Sequence, residues 1–208
     1  TGLQFDGIDD YVELNNTSSV NLQSTLSVGA WYKYSNLNFL ADASIIGKWD
    51  NSLGKSWALC VQETTKKPYF VFRDNSNHYC FANTSLNENQ WYFISSVWDG
   101  NNLKIFIDGL ESNNVQFSGT PETSSSNVFI GSNNQGSLAN TSSEIDEPQI
   151  WNKALTQSEI QSYMSSPPTG NENGLVGYWD FNEGSGNTVN DLSGNGNNGT
   201  INGATWST

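Results

Sequence analysis

Three groups of residues in this chain have the types and spacing to do chemistry. The first is acidic. "EIDEPQ" sets Glu144 and Asp146 two positions apart, with Gln149 three further on. On a strand, residues two apart share a face. Two carboxyl groups about 5 Å apart serve retaining glycoside hydrolysis, one as nucleophile and one as acid. The third position here is Gln149, and an amide cannot donate a proton as a carboxylic acid does. No Ser-His-Asp pattern is evident either, His78 being the only histidine. The acids are therefore read as non-catalytic, and an enzyme is not expected.

The second group offers hard oxygen atoms. "DLSGNGNNG" alternates Asp191, Ser193, Asn195 and Asn197 with glycines, as calcium loops do. The spacing departs from an EF-hand. A loop of Asx-turns without metal is the alternative. Asp6, Asp9 and Asp10 of "FDGIDD" could add ligands or form a solvated turn. The formal net charge of -13 suits a cation.

The third group suits sugars, which are bound by aromatic faces and planar polar groups. Trp49 sits in "GKWDNSLGK", a polar stretch read as a loop, where burial is hard to arrange. Asp50 and Asn51 beside it could hydrogen-bond hydroxyls. Arg73, Asn75 and His78 lie on a nearby hairpin tip; His78 could equally be an exposed turn residue after "DNSN". Trp31, Trp57, Trp91 and Trp151 fall in alternating runs and are expected in the core. Trp98, just before an Asp-Gly turn, is left open.

Something must position these groups. With 8 Trp, 8 Tyr and 10 Phe among abundant Asn, Ser, Gly and Thr, the composition is that of a strand- and turn-rich chain. At 208 residues, one all-β domain is a natural size. No basic patch of any size points to nucleic acid, and the net charge also argues against strongly anionic glycans such as sulfated ones, though Lys48, Lys55, Arg73 and the pair Lys66-Lys67 lie in one region and could form a local basic pocket. No run approaches transmembrane length, so no membrane insertion is expected. The abrupt start at "TGLQFDG" reads as an excised module. The Asn-, Ser- and Thr-rich surface suggests a secreted or cell-surface setting.

Period-two alternation recurs along the chain. "LQFDG", "DYVEL", "LSVGAWYKY", "SIIGKW", "NVFIGS" and "SSEIDEPQIWN" are strand candidates. Trp91–Trp98 and Leu103–Asp108, joined through Asp-Gly, give the strongest hairpin signal. Pro148 suggests an edge or a bulge. "SWALCVQ", "PYFVFRDN" and "HYCFAN" form a meander that sets Cys60 and Cys80 on opposite sides of Phe70. Two strand spacings of about 4.8 Å exceed disulfide reach, so two small buried thiols are favoured over a bond. One helix is credible, over "LTQSEIQSYM", with Thr156 as N-cap and Glu159 completing a capping box.

The segments "STLSVGAWYKYS", "IIGKWD", "NQWYFISSVWDGNNLKIFIDG", "VFIGS" and "EIDEPQIWNKALTQSEI", in that order, resemble the laminin-G-like jelly roll of the concanavalin A-like lectins and glucanases. The resemblance covers about residues 1–165. It implies an all-β, two-sheet antiparallel jelly-roll sandwich with one short helix. The glucanases carry E-x-D-x-x-E on one strand, but here "IDEPQIWN" aligns with the last strand, away from the cleft, so that match is read as chance.

The tail "GLVGYWDFNEGSGNTVNDLSGNGNNGTINGATW" is similar to strands that usually precede "LQFDGIDDYVEL" in the family. The resemblance thus implies one circularly permuted domain over 1–208. Residues 1–165 would make the bulk, 166–173 a linker, and 174–208 the completing strands. Alternatively the tail begins a truncated second domain and completes a swapped partner; a self-completed monomer is favoured, because it satisfies sheet edges without one. By the same resemblance, a structural calcium would be held by Asp146 with Asp180, Asn182 and Glu183, and Asp191 belongs to the second candidate loop. The expected function is a non-catalytic, lectin-like module binding a neutral or weakly charged polysaccharide. A protein-adhesion or spacer module is the runner-up, and a degenerate glycosidase is third.

Overall fold

The computed structural model describes residues 2–14, 18–21, 24–35, 41–50, 53–133 and 142–207. In chain order the strands begin with β1 (Leu3–Asp6), β2 (Tyr11–Leu14), β3 (Leu26–Tyr34), β4 (Ala43–Asp50), β5 (Gly54–Val61) and β6 (Pro68–Arg73). They continue with β7 (Asn77–Phe81), β8 (Tyr92–Trp98), β9 (Asn102–Ile107), β10 (Leu110–Gln116), β11 (Val128–Ile130) and β12 (Ser142–Trp151). After helix α1 (Gln157–Ser165) come β13 (Leu175–Tyr178), β14 (Thr188–Val189), β15 (Gly199–Asn202) and β16 (Thr205–Trp206).

Two antiparallel sheets of eight strands result. The first runs β10-β9-β8-β3-β12-β1-β16, with β13 also on β12; the second runs β14-β15-β2-β11-β4-β5-β6-β7. Their inner faces meet in one core, which includes Phe5, Val28, Tyr32 and Ile94 from the first sheet and Trp57, Leu59, Phe70 and Phe72 from the second. Alternation sets these positions on one face of each strand, and packing against the opposite sheet takes that face out of water.

The β8–β9 and β9–β10 hairpins turn on Asp-Gly steps. At the second, Asp108 and Gly109 have φ of 51° and 73°, the left-handed pair a two-residue hairpin needs. Pro148 sits in a bulge between Asp146 and Gln149 of β12. That strand is central, so the bulge and not an edge accommodates the proline. Beyond the bulge, β13 takes over from β1 as the neighbour of β12. β15 pairs with β2 and β16 with β1. The tail residues Leu175, Val176, Trp179 and Phe181 are buried in this arrangement.

Helix α1 carries the capping box, the Thr156 hydroxyl accepting from Glu159 N–H and the Glu159 carboxylate from Thr156 N–H. Its Ile160 packs with Leu155, Phe93, Val97, Phe106 and Trp151. It therefore covers part of the outer face of the first sheet, and β8 is buried on both sides. Cys60 and Cys80 are both free and buried. They lie on strands flanking β6, where Cys60 pairs with Tyr69 and Cys80 with Phe70.

Candidate functional site

The outer face of the second sheet carries a groove of about 250 Å³. Its floor is small because the outward positions of β4 and β5 include Gly47 and Ala58, so close that a Cβ on Gly47 would meet the Ala58 Cβ at 2.8 Å. Aromatic walls rise from the next strands. Tyr69 on β6 and Tyr79 and Phe81 on β7 alternate outward; the Tyr79 and Phe81 rings stack at 5.8 Å and Tyr69 lies 4.9 Å from Phe81. Tyr79 is 43% exposed. At the far side, Trp49 ends β4 opposite Lys55 of β5. The Lys55 ammonium sits 5.4 Å from the Trp49 ring centroid.

The polar groups of the groove are ordered by one another. An Arg73 Nη1–H donates to Asn77 Oδ1 at 3.1 Å, and Asn77 Nδ2–H donates to the Tyr79 hydroxyl at 2.9 Å. The Tyr79 oxygen thus accepts within the protein and keeps its own O–H for a ligand. The Tyr69 hydroxyl instead donates to Asp42 Oδ2 at 2.9 Å. Asn133 also lines the groove, and its Oδ1 is buried without a hydrogen-bond partner among the described residues. Burial pushes the Cys60 thiol up to about 12, so it stays protonated and unreactive.

Several expected site residues stand elsewhere than the sequence reading put them. Trp49 is on a strand, not in a loop: the outward phase of β4 half-buries it against Ala58, Cys60, Tyr69 and Val71. Arg73 shares that outward face, held by Glu122 at 3.3 Å. His78 does not. It pairs with the inward Phe72, its ring is 4.2 Å from Phe117, and its Nε2 meets Asp74 Oδ1 at 2.6 Å. Asp50 turns the chain by accepting from Leu53 N–H at 2.8 Å. Asn51 lies outside the described residues. Lys55 was noted only as part of a possible basic pocket; missing from the sequence reading were Tyr69, Asn77, Tyr79 and Asn133. The alternation in "PYFVFR" and "HYCF" separates Tyr69 and Tyr79 from Phe70 and Cys80, and was the signal available for them.

A second cleft, about 340 Å³, lies on the outer face of the first sheet between Trp31, Trp91, Asp146 and Glu147. Trp31 and Trp91 were expected in the core. Both line this outer cleft instead, Trp31 half-buried and Trp91 36% exposed. Trp57, Trp98 and Trp151 are buried. Burial raises the Asp146 carboxyl to about 7, and the charges of Glu147 and Asp180 add to it. Burial raises Glu147 as well, with Asp180 contributing. Glu144 pairs with Lys33 at 2.5 Å, and Lys33 covers the Trp91 ring at 5.0 Å. Gln149 is buried and accepts from the Trp151 indole N–H at 2.8 Å.

Glu147, which the sequence reading did not name, joins the expected metal ligands Asp146 and Asp180. Asp146, Glu147 and Asp180 influence one another electrostatically. Asp180 also accepts from Asn182 N–H and Nδ2–H. Glu183 Oε1 accepts from Asn190, while its buried Oε2 has no partner among the described residues. Asp191 organises its own loop, accepting from Tyr178, Ser193 and Asn197 N–H. Among the described residues, Asp6, Asp9 and Asp10 bring carboxylate oxygens within 4.8 Å of one another. There Asp10 accepts from Asp6 N–H and Asp6 from Ile8 N–H.

A family model described as the concanavalin A-like lectin/glucanases superfamily matches residues 6–161. No curated protein matches the sequence. Among solved structures, a "putative carbohydrate binding protein" from Bacteroides ovatus superposes with a TM-score of 0.78 at 18% identity. That match covers 100% of this chain and 59% of the other, so the chain spans less than two thirds of that protein. A heptameric SAP-like pentraxin from Limulus polyphemus gives a TM-score of 0.60 at 16% identity, covering 77% of this chain and 80% of the other. The binding domain of botulinum neurotoxin DC, solved in complex with SialylT, gives 0.57 at 18% identity, covering 77% and 40%.

Proposed function

The chain belongs to the concanavalin A-like lectin/glucanases superfamily, and from that premise we propose that it is a non-catalytic, lectin-like module that binds a polysaccharide in the groove of its second sheet. One observation carries the reading: the aromatic wall of Trp49, Tyr69 and Tyr79 stands over a floor of small residues, with Lys55, Asn77 and Asn133 around it. Flat apolar rings complement the C–H faces of sugars, and fixed donors and acceptors complement hydroxyls. The 18%-identical Bacteroides ovatus protein is described as a "putative carbohydrate binding protein".

Three features support a binding role over hydrolysis. No carboxylate lines the groove. Glu144 and Asp146 belong to the opposite sheet. Gln149 stands where a third acid would be needed, and it is buried. Calcium belongs to the same proposal as a structural ion. The half-buried Asp146 and Glu147, both raised by burial and by the charge of Asp180, form an acid set that a hard cation would relieve. The ion would lower the cost of burying these charges where β12 changes neighbours. The module is read as a monomer of a secreted or surface protein, on the strength of its composition and in-chain strand pairing.

Affinity electrophoresis against a polysaccharide panel tests the function. Trp49→Ala and Tyr79→Ala should each weaken retention several-fold, as loss of a stacking contact worth about 0.5–1.5 kcal/mol implies. Retention unchanged in both variants, with melting temperatures unchanged, would refute the groove as the site.

A further inference from the structure

We infer that the groove prefers a sugar carrying a carboxylate, a uronic acid, over a neutral one; the inference rests on the glycan-binding reading above. In a chain with a formal net charge of -13, the groove is lined by one cation and no acid. Every acidic side chain of the protein is among the described residues, so none is hidden near it. Of the neighbouring acids, Glu122 is charge-paired with Arg73, while Asp42 and Asp50 accept from the Tyr69 hydroxyl and from Leu53 N–H without lining the groove. Lys55 makes no ion pair among the described residues.

The position of Lys55 gives the preference its mechanism. Its ammonium occupies the face of Trp49 that a sugar ring would stack on. A neutral sugar must displace that cation and offers it no charged partner in return. A uronate displaces it too, but supplies a carboxylate for the released ammonium, whose flexible stem lets it follow. The Tyr79 O–H, polarised through Arg73 and Asn77, is a second donor on the same wall. The groove thus presents donors where a carboxylate needs them. One lysine fits one charge per sugar. Denser charge, as in sulfated chains, would meet the repulsion of the surrounding negative surface.

The test uses the intact chain with polygalacturonate, alginate and glucuronoxylan, each beside its carboxyl-reduced, neutral counterpart. At least one acidic polymer should be retained, with its neutral counterpart about tenfold weaker, the scale of one charge-assisted hydrogen bond. Lys55→Gln should erase that difference without shifting the melting temperature. Added salt should erase it progressively. Equal binding of parent and reduced polymers, still lost in Trp49→Ala, would overturn the uronate preference and leave the glycan site standing. Discrimination that survives in Lys55→Gln would also overturn it. No retention of any polymer, acidic or neutral, would remove both readings.

Discussion

Lys48 should make this protein less stable at neutral pH than it would be without the charge. The side chain points inward from β4, pairs across the sheet with Trp57, and is 1% exposed. Its ammonium donates to the Ser126 carbonyl at 2.6 Å. Burial lowers its pKa from 10.5 to about 8. At about 1.4 kcal/mol per pH unit, that is roughly 3 kcal/mol against folding while the group is protonated in both states. Lys48→Met keeps the apolar stem and removes the charge, but leaves Ser126 C=O without this donor, at about 1 kcal/mol. The variant should therefore be the more stable by about 2 kcal/mol at pH 7.

The sign of the pH dependence follows from proton binding. Between about pH 8 and 10.5 the unfolded chain holds more protons at Lys48 than the folded one, so wild-type stability rises across that window. The variant lacks this rise. Its advantage should shrink above pH 8 and reverse near pH 10, when the neutral lysine still makes its hydrogen bond. Tyrosines whose pKa is raised by burial, Tyr69 and Tyr178 among them, pull the other way at the alkaline end. They act alike in both chains and cancel in the difference. Urea denaturation of both proteins from pH 7 to 10 measures it. A stability gap that does not change with pH, or a variant less stable at pH 7, would refute the reasoning.

Trp57→Ala should destabilise the domain by about 3–5 kcal/mol, because it opens a cavity in the sealed core. Trp57→Phe should be far milder, since the buried indole N–H has no hydrogen-bond partner among the described residues to lose; equal damage from both would show that the indole N–H matters after all. If calcium is held at Asp146, Glu147 and Asp180, chelation should lower the melting temperature, since a ligand at a hundredfold its Kd stabilises by about 2.7 kcal/mol. Asp146→Ala should abolish that response; a metal-free protein by elemental analysis, indifferent to chelator, removes the site. Deleting 174–207 strips β13 from β12, β15 from β2 and β16 from β1, and should leave an aggregating fragment; a soluble, cooperatively folding 1–165 would contradict this.

The fold was legible where local chemistry and burial agree. Asp-Gly steps announced the hairpins around β9, and the Thr156–Glu159 box announced α1. Strand β10 was missed. Its "LESNNVQ" lies at the sheet edge with a mostly exposed face, so no apolar period marks it; only the Asp108-Gly109 turn forces the chain back along β9. Pro148 illustrates a partial reading. Proline excludes a regular central ladder, but it does not say whether the strand sits at an edge or bulges, and the bulge depends on β13 and β1 dividing one side of β12 between them.

The candidate site was harder to read, for a reason that applies to each tryptophan. Alternation says that neighbours on a strand face opposite ways, but not which way is in, and not what covers the outer face. Trp57 and Trp151 are both buried, one inside the sandwich and one outside it beneath α1. Trp31, in an equally regular strand, also faces outward, its ring edge-on to Phe93 at 5.5 Å, and lines the cleft with Trp91, Asp146 and Glu147. Trp49 was singled out for lying in a polar stretch. That polarity has another cause: "GKWD" crosses the sandwich wall, with Lys48 turned inward and Trp49 outward. A charged residue in the core and an aromatic one on the surface invert the usual pattern, which is how a strand came to resemble a loop. The Trp49 ring is thereby placed on the groove side of β4, where the Lys55 ammonium lies 5.4 Å from its centroid.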